Sequence, residues 1–244
     1  MAVILRAIWG MSVDTSPGSS MRRIPRDLLV RMAKKLPRED RDEMAIPSYL
    51  HRNPAMRWMA WRRVEVTARF FRDSCKTLNG ESGPTVMDFG CGTGVLFYEA
   101  SKFAERVYGV DVVLDSARLL VDEWGLEKVK LLSPEQAENH VPENSVDIII
   151  AAEVLEHIEP IESTLAFFRS RLKPGGNLLV SLPTEGMLYR IGRRLAGFRG
   201  HYHLSNASSI HRRILDAGFR EVRMERIPAP GPLAIYWVIG YRLR

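Results

Sequence analysis

The residues from Thr85 to Leu96, read T-V-M-D-F-G-C-G-T-G-V-L, have the types and spacing of a nucleotide-cofactor site. A short apolar run, typical of a buried strand, is followed at once by glycines that allow a sharp turn and a close approach of a ligand to the backbone. About twenty residues further on, a second apolar run ends on Asp111, where a carboxylate can accept hydrogen bonds from both hydroxyls of a ribose. Loop and acid together predict a ribose-containing cofactor.

The loop differs from the dinucleotide fingerprint because its spacing is G-x-G-x-G and because Asp88 stands immediately before it. A carboxylate at this place would repel a pyrophosphate and attract positive charge. S-adenosylmethionine carries a sulfonium, an ammonium, a ribose and an adenine, but no phosphate. The residues therefore favour S-adenosylmethionine as the cofactor. A tight strand-to-helix turn in an unrelated α/β protein would explain the loop alone, and Asp111 argues against it.

The segment D-F-G-C-G-T-G resembles the first motif of the class I S-adenosylmethionine-dependent methyltransferases, and later segments follow in that family's order over residues 51–244. The resemblance implies a doubly wound α/β fold, with a seven-stranded Rossmann-like sheet and an antiparallel C-terminal hairpin. In relatives, an acid near Glu135 accepts from the adenine amino group, and an arginine near Arg57 reaches the cofactor carboxylate. For Glu135, an exposed position at the start of a helix is the alternative. The cofactor-binding residues that follow are Arg57, Asp88, Phe89, Gly90, Cys91, Gly92, Gly94, Asp111, Val112, Glu135, Gln136 and Ala152.

The segment E-V-L-E-H places Glu153, Glu156 and His157 just beyond a predicted fourth strand, at the edge where ligands bind in open α/β sheets. It resembles the ubiquinone-biosynthesis O-methyltransferases, in which E-x-x-E-H is associated with a divalent ion that organises a phenolic substrate. That resemblance implies all three residues as ligands of Mg²⁺, an ion that carboxylates suit. In the metal-free alternative, His157 acts with Glu153 as the catalytic base that removes a hydroxyl proton. Relatives without a metal also carry the motif, so both alternatives stay open.

The composition is that of an ordinary globular protein, with 244 residues, 45% of them hydrophobic and 26% charged. This length suffices for one domain and an extension. The two cysteines, Cys75 and Cys91, suggest neither a disulfide framework nor a zinc site, so we expect a cytoplasmic protein. No apolar run is long enough to cross a bilayer. The net charge of +6 permits nucleic acid, anionic lipid or an anionic substrate as partners without selecting one.

Residues 1–44 are predicted to be an N-terminal extension, partly disordered, because S-P-G-S-S and the prolines at 25 and 37 interrupt any helical pattern. A methyltransferase domain over 45–244 begins with a long basic helix over 54–77. Strand and helix patterns then alternate, which predicts a parallel sheet with helices on both faces. Strands are predicted near 85–89, 106–110, 129–132, 146–151, 177–182, 219–227 and 233–242, and helices near 94–103, 114–124, 161–172 and 206–217.

The segment 184–203 interleaves apolar residues with arginines at 190, 193, 194 and 199. Such a basic amphipathic stretch suits a lid over a substrate pocket or a peripheral contact with a membrane, and a plain surface helix is the third alternative. In the quinone-type relatives this region is associated with membrane contact, which would suit a lipid-linked substrate. His201 and His203 follow the arginines, and His203 is a second candidate for the catalytic base.

The sequence thus predicts an S-adenosylmethionine-dependent methyltransferase that methylates a hydroxyl of a small or lipid-linked molecule. The predicted mechanism is direct displacement, with nucleophile and methyl sulfonium aligned. One alternative is an RNA 2′-O-methyltransferase, for which His201 would complete a metal set. The chain has no aromatic-basic RNA-binding motif, so nucleic acid is the less favoured partner. Another alternative, a non-enzymatic cofactor-binding protein, would lose the acids and histidines at the strand ends.

Overall fold

The structure, a computed structural model, describes residues 21–36, 45–78, 82–184 and 206–244. Its strands are β1 (Thr85–Phe89), β2 (Arg106–Val110), β3 (Val129–Leu132), β4 (Val146–Ala152), β5 (Leu172–Pro183), β6 (Phe219–Ile227) and β7 (Tyr236–Leu243). They form one sheet in the order β3-β2-β1-β4-β5-β7-β6. The first five strands run parallel, whereas β7 is antiparallel to both β5 and β6. The predicted seven-stranded sheet with an antiparallel C-terminal hairpin is confirmed.

The helices begin and end where the local chemistry favours it. They are α1 (Arg26–Lys35), α2 (Ile46–Leu50), α3 (Pro54–Thr77), α4 (Phe97–Phe103), α5 (Asp115–Trp124), α6 (Pro134–His140), α7 (Ile161–Arg171) and α8 (Ala207–Asp216). At the start of α3, the Asn53 side chain accepts a hydrogen bond of 2.9 Å from the Ala55 N–H, which satisfies a backbone donor that the helix leaves unpaired. At the end of α5, Gly125 adopts φ +58°, the left-handed cap that glycine provides without strain.

Helices cover both faces of the sheet. Consecutive strand side chains point to opposite faces, so Val86 and Ile148 pack with α1 to α5 in one core, while Met87 and Ile149 pack with α6 to α8 in another. All four side chains are fully buried. Burial on both faces explains why these strands have nearly continuous apolar sequences instead of alternating ones.

Helix α1 lies within the span that was predicted to be an irregular extension. Leu28, Leu29 and Met32 of this helix are at most 2% exposed, and they belong to the core on the α5 side of the sheet. The prolines did not prevent this helix because of their positions. Pro25 precedes the first turn, where a missing N–H costs nothing. Leu36, the residue before the second proline, is extended and ends the helix.

The carboxyl ends of β1, β2 and β4 lie side by side at one edge of the sheet. Helices α2 and α3 pack on one face of the sheet, in the same hydrophobic core as α5. A ligand at the edge would therefore meet both the strand ends and these two helices. Within the described ranges, no helix has the length and apolar character needed to span a membrane.

Candidate active site

The glycine loop turns directly after β1 and is packed tightly on one side. A Cβ atom on Gly90, whose φ is +73°, would lie 2.5 Å from the Val154 side chain. A Cβ atom on Gly94 would lie 2.5 Å from the ring of Phe97. A Cβ atom on Gly92 would meet no described atom within 4 Å. The loop is thus closed behind Gly90 and open at Gly92, where a ligand can approach the backbone.

Asp111 follows β2 and is fixed to the glycine loop. Its Oδ2 accepts a hydrogen bond of 2.7 Å from the Gly92 N–H, and its Oδ1 accepts one of 3.2 Å from the Val113 N–H. The Gly90 N–H donates to the Val110 carbonyl at 2.8 Å, which joins the loop to the end of β2. Because a carboxylate has about four lone-pair sites, Asp111 keeps acceptor capacity for ribose hydroxyls while it is held in place.

Asp88 is a buried acid behind the loop. It is 3% exposed, and burial, followed by the negative charge of Asp111, raises the pKa of its carboxyl to about 7. Positive charge nearby would favour the ionised form of this carboxyl and return its pKa toward the ordinary range. The site therefore suits a ligand that brings a cation, as the sequence predicted.

A cavity of about 820 Å³ joins the glycine loop to the end of β4. This volume lies within the range of sites that hold cofactors and small molecules. The part we call the cofactor half is lined by Asp88, Phe89, Gly90, Cys91, Gly92, Asp111 and Val112. The part we call the acceptor half is lined by Tyr49, Arg63, Glu153, Glu156 and His157. The cofactor and a second molecule can share this space.

Two carboxylates dominate the acceptor half. Glu153 has a left-handed φ of +56°, a strained conformation for a residue with a side chain, and its Oε2 forms an ion pair with Nη1 of Arg63. Glu156 is 2% exposed, and burial raises the pKa of its carboxyl to about 7 against the opposing effects of a backbone hydrogen bond and Arg63. Oε1 of Glu153 and Oε2 of Glu156 are buried and have no hydrogen-bond partner among the described residues. Buried acceptors require donors, which a bound molecule can supply.

Arg63 of α3 is a site residue that the sequence prediction missed. Its side chain is 7% exposed, and its Cζ lies 5.2 Å from the ring centroid of Tyr236 and 6.0 Å from that of Tyr49. A signal was present in the sequence, because Arg63 stands three residues after Ala60 and four before Thr67 on a buried face of the helix. A charge on such a face is retained only with a partner.

Comparison with known proteins identifies the family. A family profile described as a methyltransferase domain matches residues 20–223. The chain belongs to this methyltransferase family. It is a class I S-adenosylmethionine-dependent methyltransferase, and the matched range includes α1.

Curated relatives of this methyltransferase include enzymes named for oxygen and for nitrogen acceptors. The ubiquinone biosynthesis O-methyltransferase of Rhodopseudomonas palustris (strain BisB18) is 31% identical over 120 residues, which cover 48% of this chain and 46% of the relative. Phosphoethanolamine N-methyltransferase 1 of Arabidopsis thaliana is 28% identical over 172 residues, which cover 66% of this chain and 33% of the relative. The chain thus spans less than half the length of each relative.

Solved structures of methyltransferases share the fold. N-methyltransferase NodS from Bradyrhizobium japonicum WM9, with S-adenosylhomocysteine bound, has a TM-score of 0.60 at 15% identity and covers 88% of this chain and 98% of its own. The 1,6-didemethyltoxoflavin-N1-methyltransferase of Burkholderia thailandensis, also with S-adenosylhomocysteine, has a TM-score of 0.57 at 17% identity and covers 95% and 97%. At such identities the likeness establishes the fold alone.

Most of the predicted cofactor residues surround the cavity of the methyltransferase. Its lining contains Asp88, Phe89, Gly90, Cys91, Gly92, Asp111, Val112 and Ala152. Gly94 lies in the same loop, where an added Cβ would meet the ring of Phe97, and it is not among the residues that line the cavity. The cofactor prediction therefore has a geometric counterpart in the glycine loop and at the ends of β2 and β4.

Arg57, Glu135 and Gln136 are not brought to the lining of the cavity, in contrast to the prediction. The Arg57 side chain instead donates to the backbone carbonyl of His51 at 2.6 Å. The Gln136 side chain accepts from the Ser133 N–H at 3.0 Å and so caps α6. Glu135 is exposed on the first turn of that helix. Hydrogen bonds to nearby backbone groups thus engage the side chains of Arg57 and Gln136.

Glu153, Glu156 and His157 do not form the predicted metal site. In the described part of the chain, no three His, Cys, Asp or Glu side chains are placed to hold a metal ion. The physical reason lies at Glu153, whose Oε2 is already bound by the Arg63 guanidinium. The prediction of Mg²⁺ is therefore not supported.

The two predicted bases have different outcomes. His157 lines the cavity with an exposed side chain, at the end of the short 3₁₀ turn Leu155–His157. His203 lies outside the described residues, as do His201 and residues 185–203 of the predicted lid or membrane-contact segment. The role of His157 as a base stays a prediction.

The affinity for S-adenosylmethionine is expected to rise with pH through the pKa of Asp88. This pKa is about 7 without ligand, and a cationic ligand lowers it, so binding below pH 7 requires the loss of one proton. As the pH is raised, the dissociation constant should decrease about tenfold for each pH unit up to pH 6.5 and become constant above pH 7.5. Calorimetry over pH 5.5–8 measures this, and Asp88→Asn should bind weakly with no such slope. An equal slope in that variant would assign the proton to another group.

Proposed function

We propose that this methyltransferase transfers the methyl group of S-adenosylmethionine to a hydroxyl of a small molecule bound in the acceptor half. The observation that carries the proposal is the pair of buried oxygens, Oε1 of Glu153 and Oε2 of Glu156, that have no partner among the described residues. A hydroxyl donates one hydrogen bond and can satisfy either oxygen. The same oxygens would repel an acceptor that carries a negative charge at this point.

S-adenosylmethionine supplies an electrophilic methyl group on a positively charged sulfur. The residues of the chain bind and orient the cofactor and the acceptor. Asp111 offers its carboxylate to a ribose while it is fixed to the loop by the Gly92 N–H. The carboxylates that follow β4 would hold the acceptor hydroxyl in the same cavity, next to the cofactor. A carboxylate that accepts the hydroxyl proton lowers the cost of forming the nucleophile. Alignment of the two bound molecules supplies much of the rate.

A small molecule fits better than RNA as the acceptor. Three of the four relatives and structures are named for ubiquinone biosynthesis, phosphoethanolamine and didemethyltoxoflavin, none of which is a nucleic acid. The non-enzymatic alternative is set aside because the family is one of methyltransferases. A lipid-linked acceptor and contact of the arginine-rich segment with a membrane stay predictions, as does a cytoplasmic location.

A nitrogen acceptor is the second candidate. An ammonium or amine also donates to buried carboxylates, and phosphoethanolamine N-methyltransferase 1 of Arabidopsis thaliana is among the relatives. The hydroxyl remains our proposal because a neutral donor can satisfy one of the two oxygens without adding a second cation beside Arg63.

Neutral compounds with a free hydroxyl are expected to give S-adenosylhomocysteine and a methyl ether, whereas their methyl ethers are not. A panel of matched alcohols, phenols, ethers and amines, assayed with labelled S-adenosylmethionine, measures this. Glu156→Gln should lower kcat/KM about tenfold to a hundredfold, because it replaces a carboxylate acceptor by a neutral amide. Glu127→Gln, at an exposed position outside the cavity lining, is the control. Turnover of amines alone would replace oxygen by nitrogen as the acceptor.

A further inference from the structure

The acceptor half contains a cation that belongs to the chain itself. Arg63 projects from α3 to the end of β4, where its guanidinium pairs with Glu153. The two residues are 90 positions apart in the sequence. Both side chains are largely withdrawn from solvent, with 7% and 20% of their surface exposed. An ion pair in such a place is screened little by water or salt.

Further groups hold the guanidinium in place. The ring centroids of Tyr49, from α2, and Tyr236, at the start of β7, lie 6.0 Å and 5.2 Å from Cζ of Arg63. The carboxyl of Glu156 also interacts with Arg63 electrostatically. Four separate elements, α2, α3, β7 and the turn after β4, therefore meet at this one charge. Such convergence fixes the position of the guanidinium relative to the carboxylates.

A divalent ion does not fit this arrangement. Mg²⁺ requires carboxylate oxygens in near-octahedral geometry, yet Oε2 of Glu153 already accepts from Arg63. An added ion would place two further positive charges beside the guanidinium in a poorly screened site. The residue types of the E-V-L-E-H pattern are suitable for a metal ion. The guanidinium of Arg63, from a helix distant in sequence, conflicts with a metal ion at this place.

We propose that Arg63 is the resident cation of the acceptor half and takes the place of the divalent ion that the E-x-x-E-H pattern predicts. By occupying one oxygen of Glu153 and balancing Glu156, the guanidinium leaves the other oxygens of these carboxylates for the acceptor. Arg63 is in this sense a positioning residue. The inference rests on the proposed function only in assuming that the methyl acceptor binds beside these carboxylates.

The absence of a metal requirement can be tested without any acceptor. The electron paramagnetic resonance signal of free Mn²⁺ is measured while the wild-type protein is added, with and without S-adenosylmethionine. We expect no loss of signal up to about 1 mM Mn²⁺, a concentration at the upper end of the dissociation constants of carboxylate sites in proteins. Binding of one Mn²⁺ per chain below about 0.1 mM, lost in Glu156→Gln, would overturn the proposal.

The positioning role is tested with Arg63→Met and Arg63→Lys. We expect Arg63→Met to raise the KM for the best substrate of the panel of alcohols, phenols and amines about tenfold or more and to leave the dissociation constant of S-adenosylmethionine within about threefold of wild type. Arg63→Lys should recover most of the loss because it restores the charge. Arg62→Met, on the same helix at a half-exposed position, is the matched control. An unchanged KM in Arg63→Met, or no recovery in Arg63→Lys, contradicts the proposal.

The two proposals fail in different ways. If only amines are methylated, transfer to a hydroxyl is wrong, and the Mn²⁺ titration and the Arg63 variants still decide the role of the guanidinium. If Arg63→Met does not fold, the titration of the wild type and the KM of Arg63→Lys remain decisive. A Lys variant that keeps its acceptor KM near the wild-type value, without Mn²⁺ uptake, supports the resident cation.

Discussion

Gly90→Ala is expected to abolish measurable binding of S-adenosylmethionine and to lower the free energy of unfolding by about 2–5 kcal/mol. The new Cβ would lie 2.5 Å from the Val154 side chain, on a residue whose φ is +73°. Either the loop or the segment after β4 must move, and both line the cavity. Urea unfolding and calorimetry measure the two effects.

The control for this prediction is Gly125→Ala. Gly125 has a similar φ of +58°, and a Cβ there would meet no described atom within 4 Å. This variant should show only the left-handed backbone cost of about 1–2 kcal/mol, with unchanged cofactor affinity. Equal losses in both variants would mean that backbone strain, and not the contact with Val154, explains the first result.

Asp111→Ala is expected to weaken the binding of S-adenosylmethionine and of S-adenosylhomocysteine about a hundredfold or more, because hydrogen bonds to a charged group contribute about 1.5–3 kcal/mol each. The two ligands share the ribose, so they should lose affinity equally. The variant also removes the acceptor that holds the Gly92 N–H. Isothermal calorimetry gives both dissociation constants.

Asp115→Ala provides the comparison for Asp111. It removes the same charge four residues later, at an exposed position in the first turn of α5. We expect its dissociation constants to stay within about threefold of wild type, because no hydrogen bond to the ligand is lost. If Asp111→Ala behaves like Asp115→Ala, the ribose is held by other groups.

The sheet could be predicted from the sequence because its signals are local. The run around Val86 and Met87 is short, apolar and followed by glycine, and residues 106–110 repeat that pattern up to Asp111. Buried parallel strands need little more than such runs with turns between them. The strand bounds differ most at β5, which begins at Leu172 instead of near 177, since K-P-G-G reads as a turn.

Helices with weak local signals were missed. Helix α6 has the sequence P-E-Q-A-E-N-H, in which Ala137 alone is buried, so no apolar periodicity marks it. Its capping box, formed by Ser133 and Gln136, is the feature that could have revealed it. Helix α1 does have an apolar face, and its flanking prolines concealed that face.

The acceptor half could be predicted only in part. Glu153 and Glu156 were found because they directly follow a strand, and an edge of a parallel sheet is a known ligand position. Their partner Arg63 precedes the glycine loop by more than twenty residues, and no spacing rule links a helix in that position to the end of β4. The metal prediction was drawn from the E-x-x-E-H motif and from the family that it resembles, and it lacked this cation.

The place of Arg63 and Tyr49 in the chain has a consequence for how such an enzyme can change. Both residues stand before β1, on α3 and α2, while the glycine loop and Asp111 follow it. Part of the proposed acceptor half is therefore encoded in a stretch of sequence that is separate from the cofactor half, whereas Glu153 and Glu156 follow both stretches. A chimera that exchanges residues 45–77 with those of a related enzyme would alter the choice of acceptor and retain the cofactor, so selectivity can diversify without rebuilding the nucleotide pocket.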